Sequence, residues 1–211
     1  MKTKLILCHF MVALSVAGLF PTTSPAAAPT AAESKAKLQA ACEEIVTLRT
    51  NIVFTLEQLD RVRNPQNRQE EFQKFRLQLT NMVGLVHQTA ERVRTMKEKG
   101  SAYFAEWEAR TKQLQDPEKR RNAESRYDVR KQSYDRMLRS LQEARGNFEP
   151  FLSDLTQIQR LLDSNPDAAK IAAAKDLFMH ANWRCIDVQR SLMQTEAELT
   201  FLAADFAHNE K

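Results

Sequence analysis

Residues 72–114 read FQKFRLQLTNMVGLVHQTAERVRTMKEKGSAYFAEWEARTKQL. Phe72, Leu79, Val86, Val93, Gly100, Trp107 and Leu114 recur at every seventh position, and Phe75, Met82, Thr89, Met96 and Tyr103 form a second row offset by three. A repeat of 3.5 residues keeps one seam of a helix facing a partner helix. The stretch predicts a long helix from about residue 68 to 115.

The same pattern extends in both directions. Leu38, Ile45, Ile52 and Leu59, with Ala41, Leu48, Thr55 and Val62, predict helix 1 over about 33–63. Asn64-Pro65 ends it, because the residue before a proline is pushed out of helical geometry. Asp116-Pro117 starts helix 3, an oxygen acceptor at N-cap followed by a ring already at helical φ. Helix 3 runs to about Asp163 on Tyr127, Tyr134, Leu141, Phe148, Leu155 and Leu162, with Met137, Ala144, Phe151 and Ile158 alongside. Pro150 should kink it without breaking it, since the heptads stay in phase. Asn165-Pro166 reads as the next N-cap, opening helix 4 to about Ala207 on Ile171, Phe178, Cys185, Leu192, Leu199 and Phe206, with Ala174, Ala181, Val188 and Leu202.

Short connections between long helices require antiparallel neighbours. The expected fold is all-α: an elongated antiparallel helical bundle with coiled-coil packing, three long helices plus a shorter N-terminal fourth. Helix 1 is too short to span the others, so four helices should surround the axis near Asn64 and three near Asp116. Gly100, on a seam near the end of helix 1, marks a local change in how the helices close. The alternative, helices 2 and 3 as one bent rod in a dimer, is disfavoured by the phase slip between Leu114 and Tyr127.

The first residues read differently. Lys2 and Lys4 precede an uncharged run, Leu5 to Phe20, and then a Pro/Ala/Thr stretch, the layout of a secretory signal peptide. The run is shorter than the roughly 20 residues of a membrane-spanning helix. Residues 1–26 are thus expected to be the leader, with cleavage after Ala26 or, failing that, Ala32; 27–32 to be a flexible mature N-terminus; and 33–208 to form one helical domain in the periplasm. Cys8 lies too early in the run for lipid attachment. Removing the leader leaves 29 basic against 27 acidic residues, a net of +2 in place of +4. That balance implies no nucleic-acid partner.

Candidate chemistry is sparse. No Glu-x-x-His pair occurs, the inward rows carry no carboxylate, and the connections leave no loop-built cleft. No catalytic residue, metal or cofactor is expected, and the chain reads as no enzyme. Cys42 and Cys185, traced to one height on helices 1 and 4 of an exported protein, predict a disulfide; two small buried hydrophobes at one level are the other reading. His87 and His180 share a height but sit on outer positions, where ligands do not converge. Trp183, also outer, is expected to tuck against a neighbouring helix, the alternative being a partner surface.

Nine basic residues lie between Lys119 and Arg145, among them Arg120, Arg121 and Arg126, with five acidic ones interleaved. They read as a solvated face with pairs such as Asp135–Arg139. An anionic membrane surface contacted through Arg120, Arg121 and Arg126 is the alternative.

Phe104-x-x-Trp107-Glu108, Arg121 with Ser125, Tyr134 with Leu138, then Ala144, Pro150 and Leu152, the Asn165 turn with Ile171, and Ala204-Asp205-Phe206 together resemble an exported coiled-coil family of unknown function from Gram-negative bacteria. The resemblance covers roughly residues 70 to 206 and implies the same helical fold. Some members carry a lipid anchor, and the anchoring cysteine is missing here. The family implies no activity. The expected role is therefore a structural or interaction protein, a spacer or adaptor for a protein partner in the cell envelope, with oligomeric state open. A third reading is a carrier of a small apolar ligand, held in a gap near Gly100.

Overall fold

A computed structural model describes the backbone of residues 31–207 and the side chains of 35–205. The expected leader and most of the mature N-terminus lie outside these residues. The helices are α1 (Ala31–Arg61), α2 (Arg68–Lys112), α3 (Pro117–Leu162), α4 (Ala168–Ala173) and α5 (Lys175–Ala207), and no strand occurs among the described residues. At 1.5 Å per residue, α2 and α3 are each about 70 Å long and α1 about 45 Å.

The ends have local causes. Asn64 Oδ1 accepts from Gln66 N at 3.1 Å, a turn that carries the chain away from α1. Asp116 caps α3 through Glu118 N (2.9 Å) and Lys119 N (3.2 Å), with Pro117 at the first helical position. The Asn165-Pro166 reading is two residues early. Asp167 is the N-cap, accepting from Lys170 N at 2.9 Å, while Pro166 is buried before it. The expected single helix 4 is also interrupted at Ala174, whose ψ of −1° departs from the helical value and separates α4 from α5. Helix α3 passes through Pro150 unbroken.

Each long helix packs on two others. Helix α1 lies against α2 and α5, and α3 against α5 and α2, whereas α2 and α5 are not adjacent and face each other across the axis. Neighbours run antiparallel: Phe104 and Trp107 of α2 meet Tyr127 of α3, while Arg76 at the other end of α2 pairs with Asp163 at 3.2 Å. So α2 and α3 form a hairpin. The predicted rows are the core. Ile52, Leu59, Val62, Phe72, Phe75, Met82, Phe151, Leu155, Ile158, Leu162 and Val188 are almost completely excluded from solvent. Most of these lie toward the Asn64 end, where α1 completes the ring.

One seam expectation fails: Asp154 is a buried carboxylate on α3. Its Oδ2 lies 2.8 Å from Arg184 Nη1 of α5, and that nitrogen donates an aligned hydrogen bond to Pro150 O at 2.8 Å. A buried charge needs such a partner, and the mixed heptad positions of α3 gave no sign of it.

Candidate functional site

Halfway along the molecule the core opens. A cavity of about 330 Å³ lies where the N-terminal half of α1 faces the middle of α2. Leu38, Ala41 and Ile45 line it from α1, Val93, Met96 and Phe104 from α2. Tyr134, Met137 and Leu141 of α3 and Leu199 and Leu202 of α5 make its floor. The cause lies in side-chain size. Where α1 carries Ile52 and Leu59 against α2 the seam is filled; at Ala40 and Ala41 it is not. Val93, Met96 and Leu141, on rows that are sealed elsewhere, are here only half-buried.

Gly100 shapes the far wall. The Tyr134 ring lies so close that a Cβ at residue 100 would sit 2.4 Å from its hydroxyl oxygen. That oxygen donates to Lys97 O at 3.0 Å. Burial raises the phenol above its ordinary pKa, helped by nearby Asp135 and opposed by a hydrogen bond with Ser101, so it remains a donor across the working pH range. The mouth is polar and mainly basic: Lys37 of α1 with Arg92 and Lys99 of α2, Arg92 being ion-paired to Glu44.

Beyond Gly100 the three-helix end is packed with rings. Phe104 lies 5.1 Å from Tyr134 and 5.7 Å from Tyr127, and Trp107 lies 5.9 Å from Tyr127. Arg130, buried, places its guanidinium 5.2 Å from the Trp107 ring centre, and its Nη2 donates to Asp205 O at 3.3 Å. Aromatic mass replaces the missing fourth helix.

The expected disulfide is absent, and the geometry explains why. Cys42 and Cys185 are free thiols. Cys42 Sγ lies 3.7 Å from Thr200 Oγ1 and 3.9 Å from Glu196 O. It is thus level with residues 196–200 of α5, about 16 Å or more along the helix from Cys185. A bridge needs Cα atoms roughly 4.4–6.8 Å apart. The connections shift the levels: Arg92 meets Glu44 and Arg136 meets Glu198, each a turn or more beyond the level that a minimal turn would set. Burial is the main cause that raises both thiols above their ordinary pKa, with Glu196 and Glu43 adding to it at Cys42. Neither is a ready thiolate nucleophile.

The basic face of α3 is largely engaged internally. Arg120 donates to Leu114 O, Lys131 pairs with Asp135, Arg136 with Glu198, Arg145 with Glu149, and Arg130 with Asp205. Asp135 therefore takes Lys131 and not the expected Arg139. Arg121 and Arg126 point to solvent.

Trp183 does not tuck in: it is 61% exposed. Met179, Trp183, Ile186 and Met193 are all exposed and share one face of α5. That face adjoins Gln189, whose amide donates to Arg49 O of α1 at 3.0 Å. Arg49 is flanked on α1 by exposed Val46 and Val53, so an apolar strip straddles the α1/α5 groove. His180 and His87 are exposed, and among the described residues no group of three or more His, Cys, Asp or Glu is placed to hold a metal ion. Nor is any helix there long and apolar enough to cross a membrane.

Heptad reading missed Val46, Val53 and Ile186 because it ignored apolar residues off the seam. The available signal was a seven-residue spacing on the outer faces, Val46 to Val53 on α1 and Met179 to Ile186 to Met193 on α5. A family model described as a protein of unknown function (DUF2959) matches residues 35–200, taking in α1 as well as the hairpin and α5. No curated protein and no solved structure matches the chain.

Proposed function

We propose, from the premise that the chain belongs to the DUF2959 family of proteins of unknown function, that it is a non-enzymatic interaction protein of the periplasm. It would act as a spacer or adaptor, an antiparallel coiled-coil bundle offering an outer face to a protein of the cell envelope. The observation that carries this is the strip of Trp183, Ile186, Met193, Val46 and Val53 along the α1/α5 groove. Large apolar side chains gathered on one face of a helical protein are the usual mark of a partner surface. The charged amino terminus followed by the apolar run from Leu5 to Phe20 supports export.

A photo-crosslinking residue at position 183, compared in living cells with the same residue at Leu77 (64% exposed on α2), tests it. A discrete adduct at 183 that is lost on Ile186→Asp is expected. Equal adducts at both positions, or none, would remove the reading. The membrane alternative keeps Arg121 and Arg126, which point to solvent, but loses Arg120, which is held by Leu114 O. Sedimentation with anionic liposomes at low salt is expected to leave the protein in the supernatant.

A further inference from the structure

We propose that the cavity beside Gly100 is a binding site for a single-chain anionic amphiphile, with the hydrocarbon tail inside and the head group at the Lys37–Lys99 mouth. Three observations converge on it. The interior is apolar, formed by Val93, Met96, Phe104, Met137, Leu141 and Leu199, with no carboxylate on its floor. Its volume, about 330 Å³, is about twice that of an engineered apolar cavity that admits benzene and lies within the range of small-molecule pockets. It is also long: its lining runs from Thr89 to Phe104 on α2, about 22 Å of helix. That shape suits a linear chain better than a fused ring.

The mouth selects the head group. Lys37, Arg92 and Lys99 stand there against a single carboxylate, Glu44, which Arg92 engages. A carboxylate or phosphate on the ligand would meet an excess of positive charge, and an ammonium would be repelled. Tyr134 gives the site a rigid end wall, because its ring is fixed over Gly100 by the bond to Lys97 O. A site of this kind shares no residue with the α1/α5 strip, so it stands or falls separately from the adaptor role.

Purified, delipidated mature protein is titrated with a dansyl-labelled undecanoate, and the probe is then displaced with laurate, lysophosphatidylglycerol, dodecanol or dodecylamine. One saturable site is expected, with either anion displacing the probe better than dodecanol and dodecylamine weakest. Laurate acting better than the lysolipid assigns a free fatty acid, and the reverse assigns a membrane-derived lipid. Filling the cavity from either wall, by Ala41→Trp or Met96→Trp, should weaken binding about ten-fold or more. The surface variant Lys37→Glu/Lys99→Glu should fold normally and abolish the preference of laurate over dodecanol. Absence of saturable binding, equal displacement by laurate and dodecylamine, or a preference untouched by the double charge reversal would overturn the assignment.

Discussion

Helix α2 carries the same two heptad rows from end to end, yet its halves live in different surroundings. Phe72, Phe75, Leu79 and Met82 are sealed, whereas Val86, Val93, Met96 and Tyr103 are half-buried. The rows stay in phase, although the second half carries the smaller Thr89 and Gly100. What stands opposite also differs: Ile52 and Leu59 in one half, and in the other Leu38 and Ile45 with Ala40 and Ala41 between them, then the end of α1. A periodic stripe brings helices together, but the size of the facing side chains decides whether the seam closes.

The largest expected effect tests that contrast directly. Phe151→Ala, in the sealed half, should cost about 3–5 kcal/mol in urea unfolding. Met96→Ala at the cavity wall should cost less, about 1–2 kcal/mol, because that side chain is already partly in solvent and borders an open space. Comparable losses would mean that the cavity is closed in solution. Glycines sharpen the comparison by sign. Gly100→Ala drives a methyl into the Tyr134 ring and should destabilise by about 1–3 kcal/mol. Gly84→Ala meets nothing within 4 Å and should stabilise by about 0.5–1 kcal/mol through helix propensity. Thermal melts of both variants check the opposite signs.

Tyr134→Phe removes the donor to Lys97 O and should cost about 1 kcal/mol, with little change in helical content. The smallest effect concerns the thiols. Reduction should leave the melting temperature unchanged, and thiol titration of the unfolded mature chain should recover both Cys42 and Cys185. In the folded protein labelling should speed up as pH rises, since burial raises both pKa values, and half-buried Cys42 should react before Cys185.

The three long helices before Asp163, the hairpin turn at Asp116 and most of the sealed apolar residues were legible in the chain, because heptad spacing and the Asp116-Pro117 cap are local signals; the buried polar residues and the break at Ala174 were not. The gap at Gly100 was legible too, through the one glycine on a seam. Axial level was not. Minimal turns would set Cys42 beside Cys185, but the turn after α1 and the α4 segment capped by Asp167 each add to the offset between helices. Asp154 was missed for another reason: its counter-ion, Arg184, comes from a helix distant in sequence, and no pattern within α3 announces it. The exposure of Trp183 is not legible either, because a lone outer tryptophan looks the same in the chain whether or not a neighbour covers it.

Arg130 bears a last consequence. Its guanidinium lies against the Trp107 indole and reaches the carbonyl of Asp205 near the last turn of α5, where a cation also offsets the negative end of the helix dipole. The last turn of α5 thus works as a latch on the α2/α3 hairpin. Trimming the chain back past Asp205 should unfasten the hairpin tip first, raising indole fluorescence quenching by acrylamide while the opposite end of the molecule keeps its protection.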